Sequence, residues 1–240
     1  MVLVSTPGNR LLQELTPDDF KLLEPSLELV ELREKRVLHF ERQPITDVYF
    51  MESGLVSVLA SYRVTGTTQA WLVGSEGLVG VPVLLGVDQS PHRRMVQVGG
   101  SAWRISSDKL RSALDLSSTL RDVLLRYVHS VLVQTAQTAA CNARHPLAER
   151  LCRWLLMAQD RLQTQQVPVT HELLANLLGV RRSGVTVTIE QLHHSEVLGR
   201  ARGSIVIRDR AKLEQYSCKC YGVQDGRAQT AAHVQVPKTA

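Results

Sequence analysis

From about Val37 to Ile105 the chain is a series of short apolar or alternating runs, VLHF, DVYFM, GLVSVLA, TQAWLVG, RMVQV and SAWRI. Gly54, Gly66, Gly74, Gly77, Gly80, Gly86, Gly99 and Gly100 break them. Runs this short, ended by glycine, suit strands and tight turns and not helices, so the segment predicts a compact antiparallel roll. The preceding stretch, Pro17 followed by DDFKLLEPSLELV, reads as a short helix packed on the edge of that roll.

Near Ser106 the period changes. Ser106 or Ser107 can cap a helix over DKLRSALDL, and Ser117 or Ser118 a second, longer one from Thr119 to about Asn142. Leu120, Leu124, Tyr127 and Val131 alternate steps of four and three along it, a seam of period 3.5. Val123, Val128 and Leu132 widen the stripe, which can serve the roll, a second copy of the same helix, or both. His145-Pro146 stops the long helix, and Leu147, Leu151, Trp154, Leu155, Ala158 and Leu162 mark another from Pro146 to about Leu162. Thr170 caps a short helix with Leu173, Leu174, Leu177 and Leu178 inward, ended by Gly179.

The stretch GVRRSGVTVTIEQL, residues 179–192, alternates like a half-buried strand. Val185, Thr188, Ile189 and Leu192 nevertheless fall at i, i+3, i+4 and i+7, the inner face of a helix. A strand over 185–189 leaves Glu190 to Val197 unexplained, whereas a helix from Arg181 to about His194 completes a helix-turn-helix with the preceding one. Local propensity is poor, since Gly184 alone costs about 1 kcal/mol relative to alanine, so packing must hold this helix. Its outward residues are Arg181, Arg182, Ser183, Thr186, Val187 and Glu190. RARGSIVIRD follows as a β-wing.

Charge divides the same way. Residues 142–240 hold 14 Lys+Arg against 8 Asp+Glu, net +6, while residues 1–141 hold 14 against 15, net −1. A basic excess confined to the part with the helix-turn-helix suits a polyanion. Arginine at the start of a second helix can take guanine O6 and N7 together, and Thr186 or Val187 can meet a thymine methyl. Thr170, Arg200 and Arg202 are placed for phosphates.

The order of parts resembles the CRP-FNR superfamily of bacterial transcription regulators over about residues 18 to 222. DVYFMESGLVSVL is similar to its strand-Gly-strand entry to the sensor roll. HPLAERLCRWLL with VTHELLANLLGVRRSGVTVTIEQL is similar to its DNA-binding unit. The resemblance implies an α+β chain with a cyclic-nucleotide-binding-like antiparallel β-roll, a long dimerisation helix and a C-terminal winged helix-turn-helix. The corresponding spans are 1–106 for the roll with its N-terminal helix, 107–142 for the linking and dimerisation helices, 143–222 for the DNA-binding domain, and 223–240 for a disordered tail. It further implies a homodimer formed through Leu120, Leu124, Tyr127 and Val131, a palindromic operator on double-stranded DNA, and contact with RNA polymerase. Arg182 matches the family's base-reading arginine; Ser183 and Val187 stand where cAMP-responsive members have a glutamate and a second arginine, so the operator should differ from theirs.

The sensor half departs further. Where cAMP-binding members clamp ribose and cyclic phosphate with Gly-Glu and Arg-Ser pairs, this chain has Gly80 before Val81-Pro82, and HRRMVQV, which contains Arg93, Arg94 and Met95. An arginine for phosphate remains, but the ribose carboxylate and the serine hydroxyl are gone. The pocket is therefore expected to take another apolar or anionic effector, or none, and not cAMP. The first cysteine is Cys141, so the family's N-terminal iron–sulfur cluster is not expected either.

Cys141, Cys152, Cys218 and Cys220 show neither a disulfide framework nor the spacing of a four-ligand zinc site, and reduced thiols with no metal are expected. Cys218-x-Cys220 could sense redox state or bind metal, but two ligands do not complete a site. Catalysis is not expected: the roll offers only His39 and His92 as imidazoles, and no nucleophile elbow or phosphate loop occurs. No apolar run of about 18 residues occurs and the start lacks a secretory pattern, so a cytoplasmic protein without membrane partners is expected. The competing reading is a cyclic-nucleotide or redox sensor that acts mainly through protein partners.

Overall fold

The computed structural model describes residues 7–62 and 66–223. The tail from Gln224, expected to be disordered, lies outside the described residues. Two short helices, α1 (Arg10–Gln13) and α2 (Pro17–Leu23), are capped by the Asn9 and Thr16 side chains. The helix expected at Pro17 is thus present, but the following ELVEL is a strand, β1 (Glu28–Leu32). It pairs along the edge of a sheet, which the β-branched and apolar alternation around Val30 permits.

The runs between glycines become β2 (Val37–His39), β3 (Asp47–Met51), β4 (Leu55–Tyr62), β5 (Gly66–Val73), β6 (Leu78–Val79), β7 (Arg93–Val98) and β8 (Gly100–Ser106), with a one-turn helix, α3 (Val81–Leu84), before β7. They form two four-stranded antiparallel sheets, in the orders β1-β8-β3-β6 and β2-β7-β4-β5. Leu32, Tyr49, Met51, Val79 and Ala102 from the first sheet meet Val56, Val58, Val73 and Val96 from the second to fill the interior of the roll. Both outer faces are covered as well. Val48, Phe50 and Ile105 pack outward against helices on one side, and Leu55, Leu59 and Leu72 against helices on the other. This double burial explains why GLVSVLA is apolar on nearly every residue instead of alternating.

Behind the first sheet lie α4 (Ser107–Leu116), capped by Ser106, and α5 (Ser118–Arg144), capped by Ser117. Asp19 of α2 ties the start of α5 down, accepting from Ser117, from Thr119 at 2.7 Å and from Thr16 at 2.8 Å. The Ser117 and Thr119 hydroxyls hold its carboxyl below the usual aspartate range. The seam Leu120, Leu124, Tyr127 and Val131 is buried within its own chain, and Tyr127 donates to the Leu78 carbonyl at 3.1 Å. These four residues therefore face the roll and are not available to a second copy, contrary to the dimer-helix assignment. The opposite face of α5 exposes Leu125 and Leu132, 40% and 64% accessible.

Helix α6 (Leu147–Leu162) lies behind the second sheet, followed by β9 (Gln166–Val167), α7 (His171–Leu178), α8 (Arg182–His194), β10 (Leu198–Ala201), β11 (Ser204–Ile207) and α9 (Arg210–Tyr216). Strands β10, β11 and β9 make a small antiparallel sheet in that order. Among the described residues no helix is long and apolar enough to cross a membrane.

Buried His39 donates from Nε2 toward the Asp47 carbonyl at 2.8 Å, while its Nδ1 has no hydrogen-bond partner among the described residues. Burial, helped by the charge of Arg94, lowers its pKa from 6.5 to about 4. The folded state therefore resists a proton that the unfolded chain accepts below its own pKa, so the His39 contribution is present above pH 6.5 and lost as pH falls towards 4. The loss amounts to at most about 3 kcal/mol. Urea unfolding between pH 7 and pH 4.5 should show falling stability, with a shallower slope in His39→Gln; an unchanged slope would place the proton elsewhere.

Candidate nucleic-acid interface

The C-terminal half is assembled around a packed triangle of helices. Leu151, Trp154 and Leu155 of α6, Leu174, Leu177 and Leu178 of α7, and Val185, Ile189 and Leu192 of α8 share one apolar cluster. The stretch that alternates like a strand is thus a helix, and its inner face is the one expected. Thr170 caps α7 through its hydroxyl, which accepts from the Leu173 N–H at 3.2 Å, and Gly179 closes it at φ 66°. Gly184 sits where a Cβ would lie 3.2 Å from the Leu147 side chain, so the weak helix former allows α8 to approach the start of α6. Thr188 returns its hydroxyl to the Gly184 carbonyl at 2.9 Å.

The outward residues do not behave alike. Arg181, Arg182, Ser183 and Val187 are exposed, Val187 by 57%, an unusual exposure for a valine in the middle of a helix. Thr186 is half-buried, and its hydroxyl lies 3.1 Å from His171 Nδ1 at the start of α7. It ties the two helices together, which removes its hydroxyl from the free surface assumed in the sequence reading. Burial, and then the nearby Arg182 charge, push the His171 pKa below the usual histidine value. This residue was not legible as part of the site, because its partner lies fifteen positions away and in a different helix.

Arg181 precedes α8 without a side-chain cap, leaving first-turn N–H groups open to an anion. Arg182 Nε stands 3.7 Å from Glu172 Oε2, both side chains well exposed, a pairing weak enough to be exchanged for a stronger acceptor. Arg200 donates to Glu190 of α8 at 2.6 Å, which fixes the wing beside the outward face of that helix. Arg202 is exposed in the turn between β10 and β11. Thr170 is exposed with its oxygen committed to the cap. The Arg200–Glu190 pair thus joins the wing to the outward face of α8.

The sensor residues separate. Arg94 is only 2% accessible and shares the inward face of β7 with Val96, donating from Nη1 to the His92 carbonyl at 2.6 Å. Met95, its neighbour, points to the other side and packs on the cluster beneath α6, so it is not part of an interior pocket. Val81 joins the cluster around α5, and Arg93, half-buried, pairs with Glu41 at 3.6 Å. Gly80, at φ 137°, starts α3, where a Cβ would lie 2.7 Å from Val48. Strand alternation separates Arg94 from Met95, so the five residues do not form one site.

Residues 149–216 match the Crp-like helix-turn-helix domain. No curated protein matches the chain in sequence. Among solved structures, FixK2 from Bradyrhizobium japonicum is similar at 17% identity and a TM-score of 0.70, covering 80% of this chain and 98% of its own. A protein of Eubacterium rectale assigned to the CRP/FNR family of transcriptional regulators is similar at 16% identity and 0.68, covering 86% and 96%. The c-di-GMP responsive global regulator CLP of Xanthomonas campestris is similar at 16% identity and 0.65, covering 81% and 100%.

Replacing Thr186 with Val, which keeps its shape, should lower stability to urea by about 1 kcal/mol through loss of the His171 contact. Val187→Thr, on the exposed face, should stay within about 0.5 kcal/mol of the parent. Equal effects would mean that the inward and outward roles are misassigned.

Proposed function

We propose that this chain, with its Crp-like helix-turn-helix on the CRP/FNR fold, is a sequence-specific transcription regulator that binds a palindromic operator as a homodimer in the cytoplasm. It acts with RNA polymerase and not as an enzyme. The supporting observation is the pairing of an exposed Arg181-Arg182-Ser183 helix start and exposed Val187 with an arginine-bearing wing held beside them by Glu190. Arg182 and Arg181 are the base readers, Ser183 and Val187 set the remaining preference, and Thr186 orients α8 while offering at most its methyl. Thr170, Arg200 and Arg202 meet phosphates. Selection from random duplexes should enrich a two-fold symmetric site. Arg182→Ala should relax one symmetric pair of positions, whereas Arg202→Ala should weaken all sequences alike and reduce the salt slope by about 1 per half-site. Equal loss of preference in both variants would refute that division.

Dimerisation is assigned to the outer face of α5. Asp122, Leu125, His129, Leu132, Ala136, Ala139 and Ala143 recur at steps of three and four and are all exposed. Leucines in the first half and alanines in the second suit an isologous helix pair in which the backbones approach towards the C-terminal end. Leu132→Glu places two like charges across the seam and should convert the dimer to monomer in sedimentation; a variant that stays dimeric would move the interface elsewhere.

An anionic effector is the reading favoured for the roll. Burial lowers the Arg94 pKa to about 10, and among the described residues no carboxylate pairs with this guanidinium. An anion is the missing counter-charge. The similar fold of a regulator described as c-di-GMP responsive supports this reading. Met95 is excluded from this site by its orientation.

A further inference from the structure

Cys218 and Cys220 lie in the short turn after α9, far in sequence from the end of α5, yet packing brings them against it. Cys141 and His145 are four residues apart, and the His145 N–H bonds to the Cys141 carbonyl at 2.9 Å, so both project from the last turn of α5. Cys141 Sγ and Cys218 Sγ are 3.7 Å apart, and Cys220 Sγ is 3.9 Å from His145 Nδ1. All four donor atoms lie within 4.8 Å of one another.

We propose that Cys141, His145, Cys218 and Cys220 form a tetrahedral Cys3His site for a zinc-class divalent cation, joining the end of the long helix to the C-terminal turn of the DNA-binding domain. Zinc–sulfur bonds of about 2.3 Å and zinc–nitrogen bonds of about 2.0 Å imply tetrahedral edges of about 3.8 Å between sulfurs and about 3.6 Å from sulfur to nitrogen. The Cys141–Cys218 and Cys220–His145 separations, 3.7 and 3.9 Å, lie close to those edges, and the longest separation requires a closure of about 1 Å, within reach of side-chain rotation. A disulfide between Cys141 and Cys218 would account for two of the four groups and leave Cys220 and His145 without a reason to converge. An iron–sulfur cluster binds each cysteine to a different iron or spreads them across its edges, which demands a wider set of sulfurs than this one.

Two further observations agree. The turn that supplies Cys218 and Cys220 is anchored by side chains outside the cluster: Arg210 of α9 pairs with Asp160 of α6 at 2.8 Å, and the Tyr221 hydroxyl donates to the same carboxylate at 2.6 Å. The ligands are thus preorganised. Next to them Arg153 of α6 is 5% accessible; among the described residues its Nε and Nη2 have no hydrogen-bond partner and its Nη1 reaches Thr138, 3.4 Å away and one turn before Cys141. A buried guanidinium without a carboxylate needs an anion. A divalent ion with three thiolates and one neutral imidazole carries a net charge of −1 and supplies it. Gln137 adds an N–H directed at Cys141 Sγ at 4.0 Å.

The full-length chain, reduced and stripped with a chelator, is titrated with Co²⁺ and then Zn²⁺. One equivalent of Co²⁺ per chain should give the intense visible bands of a thiolate-rich tetrahedral site, and Zn²⁺ should abolish them. Cys220→Ser and His145→Ala, at the partly exposed ligands, should each weaken binding at least tenfold. Cys152→Ala, at a buried cysteine outside the cluster, should leave it unchanged, with circular dichroism confirming the fold of every variant. Absence of tetrahedral Co²⁺ bands, binding unaffected in both ligand variants, or isolation of the chain with an iron–sulfur chromophore would each overturn the assignment.

Discussion

Helix α6 is the member on which the rest of the structure depends. From Leu151 to Ala158 every residue is buried, so this helix has no solvent face over two turns. One side meets Leu55, Leu59 and Leu72 on the back of the second sheet, and the other carries the helix-turn-helix. Trp154 crosses the boundary, donating at 3.1 Å to Gln69, which also accepts from Ser57 at 3.1 Å. Arg161, also of α6, pairs with Glu76 of the roll at 2.8 Å. The two halves therefore share one apolar cluster, and any displacement of α6 must be answered in both. Breaking such a buried polar link leaves unsatisfied groups, which makes the docked arrangement a defined state and not a loose contact.

What could be read from the sequence was mainly local. Ser106, Ser117, Thr170 and Gly179 each mark the helix end where they were expected, because capping is a contact within one turn. The β-roll followed from glycine spacing, and the second helix of the helix-turn-helix from the inner positions 185, 188, 189 and 192. The failures concern which of two valid faces a residue uses. On α5 the 3.5-residue seam is real, but an apolar stripe does not say whether it covers a sheet or a second helix. The seam covers the roll, and the face left exposed carries only a fainter stripe, Leu125 and Leu132 among alanines and polar residues.

The same limit applies to the sites. Arg94 and Met95 are adjacent in sequence and opposite in space, as the period of a strand requires. Thr186 belongs to the exposed arc of α8 by spacing, yet His171 claims its hydroxyl. Cys141 and Cys218 are seventy-seven residues apart, and only the docking of α9 and its following turn on α6 makes them neighbours. Contacts across such separations leave no periodic trace, so no pattern along the chain could have disclosed them.

These separations also suggest how the parts communicate. Arg94 faces the interior of the roll, and the next residue, Met95, rests on the cluster beneath α6. An anion drawn to Arg94 would bear on a strand whose reverse side touches the helix carrying the DNA-binding unit. At the opposite end of that unit, the Cys141 cluster joins α5 to the turn after α9, beside the Pro146 joint where the chain enters α6. A ligand shifts a conformational equilibrium only by its difference in affinity for the two states. A ligand at Arg94 or at the Cys141 cluster would meet that condition only where the two states differ around Met95 or in the spacing of the four donor atoms. One helix, buried from Leu151 to Ala158, thus adjoins Met95 behind Arg94, the surroundings of the Cys141 cluster and the helix-turn-helix, so a ligand at either position would need no long chain of intermediaries.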